Sequence, residues 1–233
     1  MLDRAFLGWL REVTERRWRD AAVPGPDGLA WVPGTCWRGG ISASDLEIAE
    51  AQFELRFPVA LRLFLAELHT PDPPLVGSAY GGRGVVRLQA RVFPDWTGPV
   101  LPLVDAVSAP IESLVRAVED GRWHPAWGDR PADRGRRGTT VRRLAGAGPR
   151  LIPVARGRWL AAAPGAADGP VLAAHGANVR VVAPDLRAAL LAELGLEDPD
   201  TAGVRPPAGH APVPFWKDVI DGLAWASEAV DRP

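Results

Sequence analysis

The sequence has few residues of several types, and each shortage limits what the chain can do. Cys36 is its only cysteine, so the chain can form neither an intrachain disulfide nor a cysteine-based zinc site. Lys217 is its only lysine and follows no glycine-rich turn, which excludes a P-loop for nucleoside triphosphates. The four histidines stand singly, without the HxxxH or HxH spacing that brings two metal ligands together. We therefore expect no metal and no cofactor.

Long apolar runs and a strong net charge are also missing. Charges at Asp3, Arg4, Arg11 and Glu12 interrupt the N-terminal segment, which lacks the apolar core of a signal peptide. No segment approaches the roughly 20 apolar residues that a membrane span needs. A net charge of −1 gives the chain no general attraction to nucleic acid or anionic lipid. The expectation is a cytoplasmic protein that binds neither a membrane nor nucleic acid directly.

Apolar residues are plentiful, at 47% of the chain, and they are best ordered between Ile41 and His69. This stretch predicts two amphipathic helices joined by the elbow Leu55-Arg56-Phe57. Ser42 or Ser44 can cap the first helix, and Pro58 suits the start of the second, where its missing N–H costs nothing. Apolar residues repeat at helical spacing in both helices: Leu46, Ala49, Phe53, Leu61, Phe64, Leu65 and Leu68.

Helices and strands come in separate groups elsewhere, without the βαβ alternation of a parallel sheet, so the predicted class is α+β. Strands are predicted over Val86–Val92, Leu101–Val104, Leu151–Ala155, Arg158–Ala162, Val171–Ala174 and Val179–Val182. Further helices are predicted up to Asp20, from about Pro110 to Gly121, from about Thr140, over Leu186–Leu194 and over Pro214–Ala229. In Val86–Val92 apolar and polar residues alternate, which is typical of a half-buried strand.

Motifs of catalysis are absent: the sequence has no GxSxG elbow, and no spacing points to catalytic residues. The glycine-rich stretch 81–84 precedes a strand instead of opening a helix, so we interpret it as a turn. One alternative is an enzyme acting on a small ligand, with His124 and Asp129 as its acid–base pair. That alternative requires a concave pocket that joins the two side chains.

Two segments have the composition of a binding surface. The stretch 121–131 holds two of the ten tryptophans, Trp123 and Trp127, which either lock an irregular loop onto the core or anchor a protein interface. The basic run 133–137, followed by Arg142 and Arg143, is either a site for an acidic partner or a solvated loop. For the tryptophan-containing stretch we favour the packing interpretation, and for the basic run we favour the solvated loop.

Several short motifs, in order along the chain, resemble the SUKH superfamily, the Smi/Knr-type cell-wall assembly regulator-like proteins. They are Arg56-Phe57-Pro58, Leu61–Leu65, Phe93-Pro94-Asp95-Trp96, Trp127–Pro131, Leu151–Val154, Arg158-Trp159 and Pro214-Phe215-Trp216. The resemblance covers about Ile41 to Trp225. It departs at one place: His69-Thr70 stands where such proteins commonly have Asn-Gly after the leucine-rich helix, and glycine there permits a left-handed helix stop.

The resemblance implies a single α+β domain, with a mixed or antiparallel sheet packed by helices and no known enzymatic activity. Residues 41–195 would form the SUKH-like core, with an N-terminal extension over 1–40 and a linker and helix over 196–233. Bacterial members are mostly immunity proteins that neutralise toxin domains, often nucleases, while fungal relatives are regulatory hubs in cell-wall signalling. The expected partner is thus a cognate toxin domain, and a regulatory scaffold is the alternative. The residues expected to contact the partner are Asp95, Trp96, Trp123, Trp127 and Arg130.

Overall fold

The computed structural model describes residues 2–81, 84–163, 165–175, 178–199 and 213–220. Its strands pair only in the antiparallel sense in the described ranges, and its helices lie apart from them in sequence, which confirms the α+β class. The helices are α1 (Arg4–Trp18), α2 (Ala43–Gln52), α3 (Val59–Glu67), α4 (Val100–Glu119), α5 (Arg134–Ala145), α6 (Leu186–Leu194) and α7 (Trp216–Ile220). None of these described helices combines the length and the apolar character that crossing a membrane requires.

The strands form two four-stranded sheets and one two-stranded sheet. The first sheet has the order β1 (Val23–Pro24), β2 (Ala30–Trp31), β5 (Leu75–Gly81), β6 (Gly84–Ala90). The second has the order β10 (Asn178–Ala183), β9 (Val171–His175), β8 (Arg158–Ala161), β7 (Leu151–Ala155). The third pairs β3 (Cys36–Trp37) with β4 (Pro71–Asp72).

Helix α1 joins the beginning of the chain to its later part. Asp3 caps it by accepting a hydrogen bond from the Phe6 amide at 2.8 Å. From the C-terminal end of the helix, Arg17 donates to the Leu194 carbonyl oxygen at 3.2 Å. The guanidinium of Arg187 lies 4.2 Å above the centroid of the Phe6 ring. Helix α1 therefore packs within the main hydrophobic cluster, not beside it.

The predicted helix–elbow–helix is present as α2 and α3. Ser42 caps α2 by accepting from the Asp45 amide at 3.1 Å, so the cap is Ser42 and not Ser44. The buried carboxylate of Glu50 holds the elbow, because it accepts from the Phe57 amide at 2.6 Å and pairs with Arg62. Burial alone would raise the pKa of Glu50, but the hydrogen bonds from Arg62 and Phe57 outweigh it, and the pKa lies below its usual value of 4.5.

Two helices begin earlier than predicted. The prediction of a strand over Leu101–Val104 is wrong, because these residues form the first turns of α4, where Pro102 has no intrahelical N–H bond to make. Pro110 lies inside α4 and does not begin it. Helix α5 starts at Arg134, not near Thr140, because Asp133 caps it by accepting from the Arg136 amide at 2.8 Å.

The two hairpins of the second sheet lie where they were predicted. Gly157, with φ of 68°, makes the tight connection between β7 and β8 that only glycine adopts without strain. Helix α6 is capped by Asp185 and ends at Gly195, with φ of 61°. The part of the predicted last helix beyond Ile220 lies outside the described residues.

The buried apolar side chains form two clusters. The larger one combines α1, α2, α3 and α6 with parts of the sheets, so that residues before Ile41 share a core with the helix pair. The smaller one lies between the second sheet and helices α4, α5 and α7, and it contains Leu114, Val118, Val141, Leu172 and Trp216. Helix α4 packs on β7 and β9 and covers that sheet.

Candidate partner-binding surface

Asp95 and Trp96 follow β6 at the base of the first sheet. The indole of Trp96 is only 6% exposed, and its edge meets the rings of Phe57 at 4.8 Å and Phe53 at 5.7 Å. Asp95 forms an ion pair with Arg38 at 2.5 Å. Trp96 is thus a core residue that binds the Phe93–Trp96 loop to the elbow, and its side chain is not accessible to a partner.

His69 connects this loop to the end of α3. Its φ of 64° lies in the left-handed region, the conformation that glycine would supply at this helix end. The imidazole is buried, and its Nε2 accepts a hydrogen bond from the Trp96 amide at 3.1 Å. The Thr70 hydroxyl donates to the Phe93 carbonyl oxygen at 3.1 Å. His69 and Thr70 therefore provide two tethers from the end of α3 to the Phe93–Trp96 loop.

Burial and neighbouring groups lower the pKa values of both His69 and Asp95. Burial lowers the pKa of His69 to about 4, and the attraction of Asp95 does not reverse this effect. Burial alone would raise the pKa of Asp95, but its bond to Thr97 and the positive charges of Arg38 and Arg91 keep that pKa below its usual 3.8. At neutral pH the cluster therefore holds an ionised Asp95 beside a neutral imidazole.

Trp123 and Trp127 lie in the second hydrophobic cluster, away from the one that holds Trp96. Trp123 is 4% exposed and donates through Nε1 to the Gly128 carbonyl oxygen at 2.8 Å. Trp127 is partly buried, meets Trp123 edge to face at 5.6 Å and stacks on Phe215 at 5.6 Å. Arg130 is also partly buried. Of the five residues predicted to contact a partner, Trp96 thus belongs to the larger cluster, whereas Trp123 and Trp127 belong to the smaller one.

His124 and Asp129, the acid–base pair of the enzyme alternative, differ in their exposure to solvent. His124 is 7% exposed, and its Nδ1 accepts from the Ala126 amide at 3.2 Å, which caps the short helix Pro125–Trp127. Its ring packs against Trp127 at 5.6 Å. Asp129 is exposed. His124 therefore has a capping and packing role in the loop.

The basic run 133–137 forms the first turn of α5. Arg134 pairs with Asp120 at 2.9 Å, and Arg137 donates to the carbonyl oxygens of Pro131 at 2.8 Å and Ala132 at 3.0 Å. Further along the helix Arg142 pairs with Glu112 at 2.8 Å. Much of this positive charge is therefore engaged with neighbouring groups of the same chain.

Exposed apolar side chains mark a different surface, which the sequence did not lead us to select. Of the eight large apolar side chains that are exposed among the described residues, six lie between positions 85 and 104. They are Val85, Val86 and Leu88 on β6, and Val100, Leu101 and Val104 at the start of α4. We call these six side chains the apolar patch. The six lie on two elements that follow each other in the chain, and exposed apolar area of this kind is found at interaction sites on protein surfaces.

The hairpin of β5 and β6 carries half of the apolar patch. Its strands pair without a break from Leu75 opposite Ala90 to Gly81 opposite Gly84. Leu75 at the base is 1% exposed, but Val86 and Leu88 are 52% and 40% exposed. The predicted strand is present, while its predicted half-burial is wrong, because the core reaches only the base of the hairpin.

A groove connects the hairpin base with the start of α4. Its volume is about 710 Å³, and four segments line it: the end of β6, the Phe93–Asp95 loop, the first turns of α4 and the connection between β7 and β8. The indole of Trp159 lines the same groove and donates to the Ala106 carbonyl oxygen at 2.8 Å. Four charged side chains also line it: Arg91, Asp95, Asp105 and Arg156.

Comparisons with known proteins add no relative from which a role could be transferred. The chain matches no protein-family model, no curated protein and no solved structure. Within the described ranges, no three His, Cys, Asp or Glu side chains are grouped as a metal site would require.

Proposed function

We propose that this protein is a non-catalytic module that binds a partner protein, and that the partner is a toxin domain which it neutralises. The observation that carries the binding proposal is the apolar patch, since six of the eight exposed large apolar side chains lie within it. The resemblance to the SUKH superfamily supports the choice of a toxin as the partner. The motifs of that resemblance, such as Phe93–Trp96, build the loop from which the hairpin projects.

Neutralisation would be steric: the patch and the groove would cover the toxin's active surface. The area supplied by Val86, Leu88 and Leu101 would drive association as apolar surface leaves water. The charged side chains that line the groove would fix the orientation of the toxin and raise the rate of encounter.

The test is co-expression with a toxin domain encoded beside this chain, measured as growth of the host cells and as a complex on a sizing column. The wild-type chain is expected to restore growth and to co-elute with the toxin. The double variant Val86→Ser/Leu88→Ser is expected to lose both effects while it keeps the fold, because neither side chain is part of the core. Ile48→Ser on α2 is the matched control, since Ile48 is 61% exposed and lies outside the patch.

Failure of the wild-type chain to rescue growth and to form a complex would contradict the toxin assignment. Equal effects of the patch variant and the Ile48 control would contradict the choice of surface.

A further inference from the structure

We infer that the open edge of β6 binds an extended segment of the partner as an added β-strand, with an acidic side chain of that segment facing Arg87. This inference rests on the proposed function, since it specifies how the same surface recognises its partner. It depends on three features of β6: its place in the sheet, its single available cation and the chemistry of its two faces.

Strand β6 stands at the edge of its sheet, beyond β5. Every second residue of such a strand directs its N–H and C=O groups away from the neighbouring strand, where another chain can pair with them. Pairing with β5 has no register shift along its whole length, so β6 carries no bulge that would interrupt an incoming strand. Extended segments of partner proteins bind edges of this type through main-chain hydrogen bonds.

The outer edge of β5 is the less suitable of the two. Only Val76 of β5 pairs with β2, so this edge too is open above its base. The residues there, Gly77, Ser78 and Ala79, carry neither charge nor a large apolar side chain with which to select a partner. The selective groups are on β6.

Arg87 is the cation that β6 offers. It lies at the middle of the strand, is exposed, and forms no ion pair within the part of the chain that the structure describes. Arg91, which directly follows the end of β6, is already paired with Asp72 at 2.9 Å. A carboxylate directly opposite Arg87 would complete a cross-strand ion pair.

The opposite face of β6 presents Val86 and Leu88, because successive side chains of a strand alternate between faces. A matching segment therefore alternates acidic and apolar side chains. The end of β6 lies at the groove, so an added strand would continue the proposed binding surface.

A second copy of this chain is not the matching segment. Antiparallel pairing of two full-length copies of Gly84–Ala90 has its centre at Arg87 and would place two arginines directly opposite each other. Like charges in that position destabilise the pair. Arg87 therefore disfavours self-association and favours an acidic strand from a different protein.

The test uses the full chain labelled with ¹⁵N and three synthetic peptides as long as β6. The first alternates valine and glutamate, the second alternates valine and lysine, and the third is the glutamate peptide with every peptide nitrogen methylated. Chemical-shift changes of the backbone amides are followed during titration of each peptide. We expect the glutamate peptide to shift the amides of residues 84–90 and to bind about tenfold more tightly than the lysine peptide.

The variant Arg87→Glu is expected to reverse that preference, and its spectrum without peptide should stay as dispersed as that of the wild type. The methylated peptide is expected not to bind, because it retains every side chain but cannot donate main-chain hydrogen bonds. Three results would overturn the inference: no shifts at the highest soluble peptide concentration, a preference that Arg87→Glu leaves unchanged, or undiminished binding of the methylated peptide.

These outcomes are separable from those of the proposed function. If the peptide tests fail while Val86→Ser/Leu88→Ser abolishes toxin binding, the patch binds the partner without strand addition. If the peptide tests succeed while the wild-type chain gives no rescue, the strand site stands and the toxin assignment falls.

Discussion

Two antiparallel hairpins of this molecule have opposite environments. In the β7–β8 hairpin all five residues of β7 are buried, and Leu160 on β8 is fully enclosed. In the β5–β6 hairpin the residues from Val85 to Gln89 are all exposed. The difference comes from the elements that cover each pair of strands: α4 packs on β7, whereas the larger core reaches only the base of β5–β6.

The comparison shows that one kind of residue can serve two purposes in the same fold. Apolar side chains on β7 and β8 stabilise the chain, because they leave water when it folds. Apolar side chains on β6 remain in water and contribute little to folding. They leave water only if a partner binds and covers them. Three experiments test this contrast.

The largest expected difference is between Leu160→Ala and Leu88→Ala, the same substitution in the two hairpins. Leu160→Ala should lower the free energy of unfolding by about 2–5 kcal/mol, since it removes buried methyl groups and leaves a cavity. Leu88→Ala should change it by less than about 0.5 kcal/mol, because the side chain is exposed. Urea denaturation of the two variants measures both values. Similar losses would mean that β5–β6 is covered as fully as β7–β8.

The second experiment concerns His69, which fixes the loop at the base of the exposed hairpin. Its pKa is about 4 in the folded chain and about 6.5 in the unfolded chain. Between these two pH values the unfolded chain therefore binds more protons than the folded chain. Its contribution to stability is therefore complete above pH 6.5 and is lost as the pH falls toward 4, by up to about 3 kcal/mol. Asp168 acts in the opposite sense, because burial raises its pKa from 3.8 to about 6 and its stabilising protonated form is lost as the pH rises.

The two contributions offset each other in the wild-type chain, and single variants separate them. With His69→Gln, the free energy of unfolding should fall as the pH rises from about 5 to 6, because His69 no longer offsets the effect of Asp168. With Asp168→Asn it should rise over the same range. Urea denaturation of both variants across this window checks the signs. Parallel pH profiles for the wild type and His69→Gln would show that the buried imidazole does not control the base of the hairpin.

The smallest expected effect is that of Trp159→Phe. Phenylalanine keeps most of the buried ring but loses the hydrogen bond from Nε1 to the Ala106 carbonyl oxygen, by which α4 is attached to β8. The expected loss of stability is about 1 kcal/mol. Thermal unfolding followed by circular dichroism measures it, and Trp9→Phe is a control because Trp9 is only partly buried on α1. A loss as large as that of Leu160→Ala would mean that this bond, more than apolar contact, holds α4 on the sheet.

Local signals predicted much of the fold. The caps at Asp185 and Gly195 and the tight turn at Gly157 depend on neighbouring residues, and a sequence displays neighbours directly. The start of α4 was not predictable in this way, since Pro99, Pro102 and Pro110 resemble strand breakers although two of them precede or open the helix. Contacts with distant parts of the chain also act on this helix, since Leu103 is buried in the larger cluster and Leu114 and Val118 in the smaller one.

The candidate site was much less predictable than the fold. Alternation in β6 shows which side chains share a face, but it does not show whether another element covers that face. Covering depends on contacts between distant parts of the chain, and six exposed apolar residues look like core residues in the sequence. The tryptophans show the converse: Trp96 and Trp123 were among the partner contacts expected with the resemblance, and the structure places both in the interior.

The contacts of α1 have a consequence for the order in which the protein folds. Arg17 reaches the carbonyl of Leu194, and Phe6 lies beneath Arg187, so α1 packs against α6 although most of the other described elements lie between them in sequence. During synthesis the part of α1 that faces α6 stays in water until α6 has been made, whereas Trp18 can stack on Trp31 much earlier. We expect the larger core to close late, through contacts of long sequence separation that form slowly. Until then this part of α1 is an exposed apolar surface to which a chaperone or a misfolding neighbour can bind.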